Sequence, residues 1–218
     1  MVEINLLGEY PKIKRDYDKR MAEKTPEVIR IAKQFGREFF DGERKYGYGG
    51  YKYDGRWKPV VARFKEYYKL PDNAAILDIG CGKGFMLHDF RELMPKCTVA
   101  GIDVSGYAIK NAMEDIKPFL KVASAEKLPY PDKSFDLVIS INSVHNLPLK
   151  KLMTALREIE RVSRGHSYIT VDAWRNEQEK ENLFKWVLTA ESMMHVDDWK
   201  KLFDKVGFTG DYWWFVAD

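Results

Sequence analysis

Residues 76–85 read ILDIGCGKGF, and this stretch decides the fold. An apolar run ends at Asp78, and Gly80, Gly82 and Gly84 then alternate before a helical pattern begins. Glycines at this spacing let the backbone turn sharply and let a ligand approach the main chain, next to the positive end of a helix dipole. The stretch therefore predicts a strand, a ligand-binding turn and a helix.

The pattern continues outward as short apolar runs that alternate with amphipathic segments, which is typical of βα units around a parallel sheet. The apolar runs predict strands at residues 74–79, 98–102, 120–123, 135–141, 167–171 and 212–216. Helical periodicity predicts helices at residues 85–94, 107–116, 149–159, 177–190 and 197–206. The expected fold class is α/β, a Rossmann-like, doubly wound and mostly parallel sheet of six or seven strands.

Two common glycine loops do not fit this turn. The dinucleotide fingerprint requires Gly or Ala three residues after Gly82, where this chain has Phe85. A phosphate-binding P-loop requires Ser or Thr after Lys83, where this chain has Gly84. A purely structural tight turn remains an alternative, although alternating glycines between a strand and a helix favour ligand binding. What remains is the pattern D-x-G-x-G-x-G.

With this pattern the chain resembles the class I S-adenosylmethionine (SAM)-dependent methyltransferases, especially the small-molecule type 11 family, over residues 73–216. Asp103 follows Gly84 by nineteen residues, and residues 123–148 read ASAEKLPYPDKSFDLVISINSVHNLP, in the order and spacing of that family. The resemblance implies SAM as the cofactor, with Asp103 on the ribose hydroxyls. The family usually has Asp where this chain has Ser124, whose hydroxyl can still bond the adenine amino group.

The cofactor-binding residues implied by the resemblance follow the first four strands: Asp78, Gly80, Gly82, Gly84, Asp103, Val104, Ser124, Ala125, Glu126 and Asn142. For Asp103 the alternative is a cap of the following helix, which Ser105 can provide equally well. Cys81 is interpreted as a small buried residue rather than a nucleophile, because no His is assigned beside it.

Transfer of a sulfonium methyl requires mainly alignment of donor and acceptor, and a base is needed only if the acceptor must lose a proton. Polar residues that follow the fourth and fifth strands are expected near the acceptor, because ligands bind at the carboxyl edge of such sheets. His145 is the first candidate base and Asp172 the second. Each has an alternative: His145 as a packing and hydrogen-bonding residue, and Asp172 as a helix cap or a partner of Arg175.

The first third of the chain has a different character. Residues 1–70 carry 17 Lys and Arg against 11 Asp and Glu, whereas the remainder is slightly acidic. Two helices are predicted, from near Thr25 and from near Pro59, around a glycine- and tyrosine-rich loop at residues 41–57. We therefore divide the chain into an N-terminal helical lid segment, residues 1–70, and a SAM-binding core, residues 71–218.

The loop offers aromatic faces and cationic groups on a flexible backbone, which favours a lid over an anionic acceptor. The predicted substrate-binding residues are Tyr46, Tyr48, Tyr51, Arg56 and, on the core side, Trp174. The alternative is a surface loop whose tyrosines pack on the sheet. The charged run at residues 9–24 is interpreted as a solvated arm.

The expected function is in-line SN2 transfer of a methyl group from SAM to a small, anionic or sugar-like acceptor. An RNA methyltransferase and a non-catalytic SAM-binding protein are the alternatives, and a net charge of +3 does not favour nucleic acid. The two cysteines exclude a disulfide framework, and no metal is expected. The absence of a signal-like or membrane-spanning stretch predicts a cytoplasmic protein without a membrane partner.

Overall fold

The computed structural model describes residues 1–8 and 15–217. The helices are α1 (Tyr17–Glu23), α2 (Pro26–Ala32), α3 (Arg37–Asp41), α4 (Lys58–Tyr67), α5 (Phe85–Leu93), α6 (Gly106–Lys110), α7 (Leu149–Val162), α8 (Glu177–Trp186) and α9 (Val196–Val206). The strands are β1 (Ala75–Ile79), β2 (Thr98–Asp103), β3 (Leu120–Val122), β4 (Phe135–Ile141), β5 (Ser163–Trp174), β6 (Met194–His195) and β7 (Asp211–Phe215). Within the described ranges, no helix has the length and apolar character needed to cross a membrane.

The strands form a sheet in the order β3-β2-β1-β4-β5, with β6 and β7 both beside β5. Strand β7 pairs with residues 168–172 of β5, and β6 pairs with Ala173 and Trp174. All of these pairings are parallel. The predicted Rossmann-like sheet of six or seven strands is thus confirmed. Because the strands are parallel, their carboxyl ends meet at one edge, which is where such folds bind ligands.

Side-chain alternation along β1 builds two apolar layers. Ile76 faces the layer formed by α4 and α5, whereas Leu77 and Ile79 face the layer formed by α7 and α9. All three side chains are fully buried. A parallel sheet requires such cover on both faces, and this explains why its strands are nearly continuous apolar runs in the sequence.

Strand β5 is longer than predicted. The expectation was residues 167–171, but the strand begins at Ser163. Its first four residues, Ser-Arg-Gly-His, carry no apolar signal. They pair with β4 nevertheless, and Arg164 donates two hydrogen bonds of 2.8 Å to Asp136 at the start of that strand. Helix α6 is shorter than predicted. The expectation was residues 107–116, but the helix ends at Lys110.

The described part of the N-terminal third contains four helices rather than two. Two of them, α2 and α4, are the predicted ones, and α3 ends at Asp41, the first residue of the loop predicted at residues 41–57. Helix α1 lies in the charged run that was expected to be a solvated arm, and it packs against α8. Residues 9–14 of that run lie outside the described residues. The division of the chain at residue 70 remains a prediction.

The outer edge of the sheet is closed by the start of the chain. Methyltransferase sheets of the resembled class usually end in an antiparallel strand, but β7 is parallel to β5, and the described residues include no antiparallel strand. Instead, residues 2–4 pair with β7: the Ile4 N–H donates to the Tyr212 carbonyl at 2.9 Å, and the Tyr212 N–H donates to the Val2 carbonyl at 3.0 Å. This contact protects part of an edge strand.

A buried tyrosine should fix this N-terminal segment to the core. The Tyr168 hydroxyl donates to the Ile4 carbonyl at 3.0 Å and accepts from the Leu6 N–H at 3.2 Å. Tyr168→Phe should lower the free energy of unfolding by about 1–3 kcal/mol, because a buried N–H loses its acceptor. Denaturant unfolding measures this change.

Tyr212→Phe is the matched control, since Tyr212 is also buried and its hydroxyl, unlike its backbone, has no hydrogen-bond partner among residues 1–8 and 15–217. It should change stability by less than about 0.5 kcal/mol. Equal effects of the two substitutions would show that the hydrogen bonds of the Tyr168 hydroxyl add nothing to the free energy of unfolding.

Candidate active site

The turn after β1 requires its glycines for two reasons. Gly80, Gly82 and Gly84 have φ of +80°, +55° and +77°, which is left-handed backbone that other residues rarely adopt. In addition, a Cβ at Gly80 would lie 2.0 Å from Oγ of Ser143, and one at Gly84 would lie 2.7 Å from Ile116. The turn is therefore shaped by packing as well as by conformation.

Asp103 at the end of β2 holds this turn in place. One carboxylate oxygen accepts from the Gly82 N–H and the other from the Ser105 N–H, both at 2.8 Å. The cap of α6 is Ser105, whose Oγ accepts from the Ala108 N–H at 3.0 Å. Burial raises the pKa of Asp103, although the two N–H donors oppose this. The carboxylate thus has a fixed orientation and keeps lone pairs that no N–H uses.

A second carboxylate, Asp78, lies beneath the turn. It is 4% exposed and accepts no hydrogen bond from the described residues. Burial and the nearby charge of Asp103 raise the pKa of Asp78 to about 8. Asp78 lies outside the lining of the cavity described below, so its contribution is packing behind the turn.

The N-terminal segment is joined to the turn by an ion pair. Nζ of Lys83 lies 2.8 and 2.7 Å from the two carboxylate oxygens of Asp41 and donates to the Tyr51 carbonyl at 2.9 Å. Asp41 also accepts from the Tyr51 N–H at 3.1 Å and from the Tyr107 hydroxyl at 2.7 Å. Lys83, the residue that suggested a P-loop, therefore anchors the end of α3 and the tyrosine-rich loop.

A cavity of about 330 Å³ opens at the carboxyl edge of the sheet. Nine of the predicted site residues line it: Gly80, Gly82, Asp103, Val104, Ala125, Asn142, Asp172, Tyr48 and Tyr51. Both the core and the N-terminal segment therefore contribute to its wall. This is the arrangement expected if the loop covers the site, although closure on a ligand remains a prediction.

The other predicted residues lie elsewhere in the described structure: Asp78, Gly84, Ser124, Glu126, His145, Tyr46, Arg56 and Trp174. Ser124 and Glu126 hydrogen-bond each other beside the cavity at 3.2 Å. Tyr46 packs in a small cluster with α2, and Arg56 forms an exposed ion pair with Asp54 at 2.6 Å. Trp174 packs against Phe184.

The two candidate bases form a buried pair. Nε2 of His145 lies 3.5 Å from Oδ2 of Asp172, and the Asp172 N–H donates to Nδ1 of His145 at 3.2 Å. Because Nδ1 accepts, the neutral ring carries its proton on Nε2, facing the carboxylate. Burial lowers the pKa of His145 and raises the pKa of Asp172, while their mutual attraction opposes both shifts. Only Asp172 reaches the cavity, with His145 behind it.

The sequence reasoning missed one residue of the opposite wall, Arg20. Arg20 of α1 and Trp186 at the end of α8 line the cavity together with Arg44 and residues 187–189. The guanidinium carbons of Arg20 and Arg44 each lie 5.4 Å from the centre of the Trp186 ring. No local signal marks Arg20, because it is one charge in a charged run and becomes buried only where α1 meets α8.

One group of side chains has the composition of a metal site. His88, Asp89 and Glu92 on α5 place their potential ligand atoms within 4.8 Å of one another. Nδ1 of His88 already bonds Asp115 at 2.8 Å, and Glu92 pairs with Lys58 at 2.9 Å. Asp89 is buried and accepts from the Tyr53 hydroxyl at 2.6 Å, so each member of the group already has a protein partner.

The Asp41–Lys83 pair should stabilise the fold by more than an exposed pair does. In a double-mutant cycle with Asp41→Asn and Lys83→Met, we expect a coupling of at least about 1 kcal/mol in the free energy of unfolding, because both side chains are largely shielded from water. The same cycle on the exposed pair Asp198–Lys201 is the control and should give a smaller coupling.

The pH dependence of this stabilisation has a defined sign. Burial alone would raise the pKa of Asp41, but the hydrogen bonds from Lys83 and Tyr107 hold it below the ordinary value. A lowered folded pKa adds stability above the unfolded pKa of about 4 and loses it as the pH falls through the folded value. The stability difference between wild type and Asp41→Asn should therefore disappear in strong acid, and a constant difference would contradict the assignment.

Comparison with known proteins places these features in a family. Residues 77–171 match the family model described as a methyltransferase domain. Sterol 4-C-methyltransferase strm-1 of Caenorhabditis elegans is 29% identical over 66% of this chain and 46% of its own length. Malonyl-(acyl-carrier protein) O-methyltransferase of Legionella pneumophila is 28% identical over 64% of this chain and 49% of its own length. Arginine-hydroxylase NDUFAF5 of Rattus norvegicus is 39% identical over 32% of this chain and 20% of its own length. The chain thus spans about half or less of these relatives.

Solved structures agree on the fold. The YcgJ protein from Bacillus subtilis superposes with a TM-score of 0.56 at 19% identity, over 67% of this chain and 66% of that one. The putative methyltransferase in a complex with the Haloferax volcanii Trm112 methyltransferase activator gives 0.55 at 20% identity, over 71% and 73%. The matched residues 77–171 contain the glycine turn, Asp103 and β4. Residues 77–171 thus match a methyltransferase domain, in agreement with the resemblance of the glycine turn to the class I SAM-dependent family.

Proposed function

We propose that the protein transfers a methyl group from SAM to a small, anionic or sugar-like acceptor bound in the cavity. The observation that carries this proposal is the continuity of the cavity, whose wall includes Gly80 of the glycine turn, Asp103 at the end of β2, Asp172 near the end of β5, and Tyr51 of the N-terminal loop. The site proposed for SAM and the site proposed for the acceptor therefore lie in the same cavity. An open cavity with a polar wall also supports catalysis over a SAM-binding protein with a filled acceptor pocket.

The residues present fit the cofactor. A carboxylate offers about four lone-pair positions, and the Gly82 and Ser105 N–H groups use two at Asp103, which leaves two for the ribose hydroxyls. Gly82 has a left-handed backbone and lines the cavity without a side chain, so its main chain can approach SAM closely. Bound SAM supplies an activated methyl group on a positively charged sulfur.

The protein's contribution to transfer is then alignment, exclusion of water and, for a protic acceptor, removal of a proton. We assign proton removal to Asp172, because its carboxylate reaches the cavity and burial raises its pKa. His145 is the positioning residue, since its Nε2 faces Oδ2 of Asp172. As the acceptor oxygen or nitrogen gains the methyl group, its proton passes to Asp172 and then to water.

The N-terminal segment supports the acceptor class. It carries the basic excess of the chain, and Tyr48 and Tyr51 add aromatic surface to the cavity wall. We propose that residues 41–57 act as a lid that is tied to the cofactor turn through Asp41 and Lys83. The names of the relatives include both a C-methyltransferase and an O-methyltransferase, so they support methyl transfer without selecting the acceptor atom.

Cofactor binding tests the first half of the proposal. S-adenosylhomocysteine should bind wild-type protein in a calorimetric titration, and Asp103→Asn should weaken binding by about 1–3 kcal/mol through loss of hydrogen bonds to the ribose. Asp132→Asn is the control, because this carboxylate pairs with Arg161 on the outer surface. Unchanged affinity in Asp103→Asn would remove Asp103 from the cofactor site.

Transfer assays test the second half. With methyl-labelled SAM and a panel of small hydroxy acids, amino acids and sugar phosphates, wild-type protein should label an acceptor. If the acceptor is protic, Asp172→Asn should lower kcat by about 10²- to 10⁴-fold while leaving affinity for SAM unchanged, and His145→Gln should have a smaller effect.

The pH profile gives a second readout. In wild type, kcat should rise with pH through the raised pKa of Asp172, above the ordinary aspartate range near 3.9, and this step should be absent in Asp172→Asn. Full activity in the double variant Asp172→Asn/His145→Gln would show that alignment alone is sufficient, and would favour a pre-ionised acceptor.

A further inference from the structure

Arginine side chains surround one tryptophan at the wall of the cavity. The guanidinium carbons of Arg15, Arg20 and Arg44 lie 5.6, 5.4 and 5.4 Å from the centre of the Trp186 ring. Two of them, Arg20 and Arg44, line the cavity together with Trp186. Each guanidinium is within the distance at which an aromatic face attracts a cation.

Unlike several arginines of the chain, these two form no ion pair with a carboxylate of the described residues, although the charge of Glu23 acts on both. Arg161 and Arg164 each form an ion pair with a carboxylate at 2.7 and 2.8 Å. Among residues 1–8 and 15–217, no carboxylate lies within ion-pair distance of Arg20 or Arg44. Arg20 is only 9% exposed, and burial together with the like charge of Arg44 lowers its pKa. A buried arginine without a carboxylate is unusual and is stabilised when an anion binds.

Hydrogen bonds hold the pair in position before any ligand arrives. Nε of Arg20 donates to the Trp186 carbonyl at 3.1 Å, and its Nη1 donates to the carbonyls of Arg44 and Lys45 at 3.3 and 3.0 Å. Arg44 donates through Nη1 to the Gly47 carbonyl. Nη2 of both residues has no acceptor among the residues the structure describes. The two guanidinium groups are thus held in position, and their remaining N–H groups can donate to an oxyanion. Guanidinium groups bind oxyanions with charge-assisted hydrogen bonds.

The other wall of the cavity has the opposite character. Asp172 contributes a carboxylate, and the side-chain oxygen of Asn146 is buried with no hydrogen-bond partner in the described chain. Both groups accept hydrogen bonds. Apolar side chains, including Leu188 and Phe215, also line the cavity. A ligand that matches these surfaces carries a donor group, an apolar body and an anion.

Resting on the proposed function, we infer that Arg20 and Arg44 form an oxyanion subsite that selects the acceptor. The acceptor class is a hydroxy or amino compound with an apolar body and a carboxylate or phosphate group. Its hydroxyl or amine faces Asp172 and Asn146, and its oxyanion lies on the arginine pair beside Trp186.

Three bicyclic probes separate charge from shape. They are 6-hydroxy-2-naphthoate, the uncharged 6-hydroxy-2-naphthamide, and 6-hydroxy-2-naphthyl phosphate. Calorimetric titration into protein saturated with S-adenosylhomocysteine should show that at least one oxyanion binds about tenfold more tightly than the amide. Whichever oxyanion binds more tightly identifies the preferred group.

Substitutions at Arg44 test the assignment, because Arg44 makes fewer structural contacts than Arg20. Arg44→Gln should bring the affinity ratio of oxyanion to amide close to one, whereas Arg44→Lys should keep most of it. Affinity for S-adenosylhomocysteine and for the amide should stay unchanged in both. Arg157→Gln, on the exposed surface of α7, is the control and should retain the full ratio. A purely structural role for Arg44 would change the affinities of charged and uncharged probes equally.

Equal affinity of the amide and both oxyanions for wild type would overturn the inference, as would a preference that survives Arg44→Gln, or no detectable binding of any probe. The titrations are repeated without S-adenosylhomocysteine. Failure of S-adenosylhomocysteine to bind wild type would overturn the proposed function, whereas the oxyanion preference of the free protein tests the arginine pair independently.

Discussion

The carboxylate of Asp41 is the contact on which the cavity depends. Its oxygens receive the Lys83 ammonium from the glycine turn, the Tyr51 N–H from the N-terminal loop and the Tyr107 hydroxyl from α6. Three separate parts of the chain are thereby held at one point. The loop that places Tyr48 and Tyr51 at the cavity is thus attached to the turn that shapes the opposite wall. An ion pair shielded from water is suited to this, because breaking it would leave a costly unpaired charge.

Acidic and basic side chains lie on different sides of the cavity. Its core side contains the buried carboxylates Asp103 and Asp172, and its N-terminal side contains Arg20 and Arg44. The acidic side complements a positively charged sulfonium, and the basic side complements an anionic acceptor. Opposed charges of this kind orient two substrates before reaction, and alignment can supply about 7–11 kcal/mol of a bimolecular barrier. In our proposal, the orientation of both substrates follows from this charge distribution.

The sequence predicts well those features whose cause is local. Apolar runs such as 135–141 locate strands because both faces of a parallel sheet are covered, and β4 has those bounds. The glycine turn is equally local, since its left-handed backbone requires glycine. The start of β5 was missed because a polar segment can form a strand when its neighbour supplies the hydrogen bonds. Arg20 was missed because it is buried by contacts distant in sequence, with Trp186 of α8 and with the loop at residues 44–45. His145 and Asp172 are 27 positions apart, and their proximity was foreseeable only because both lie near the carboxyl ends of adjacent parallel strands.

The family match and the acceptor wall occupy different parts of the chain. Residues 77–171 contain the glycine turn and Asp103, whereas Arg20, Arg44, Trp186 and Phe215 lie on either side of the matched segment. Asp172 is the first residue beyond it. The shared domain therefore accounts for the donor side of the cavity, and the flanking segments build the side that would bind an acceptor. The names of the relatives include different acceptors, so the specificity of this protein has to be sought in the contacts of α1, the tyrosine-rich loop and the segment after α8.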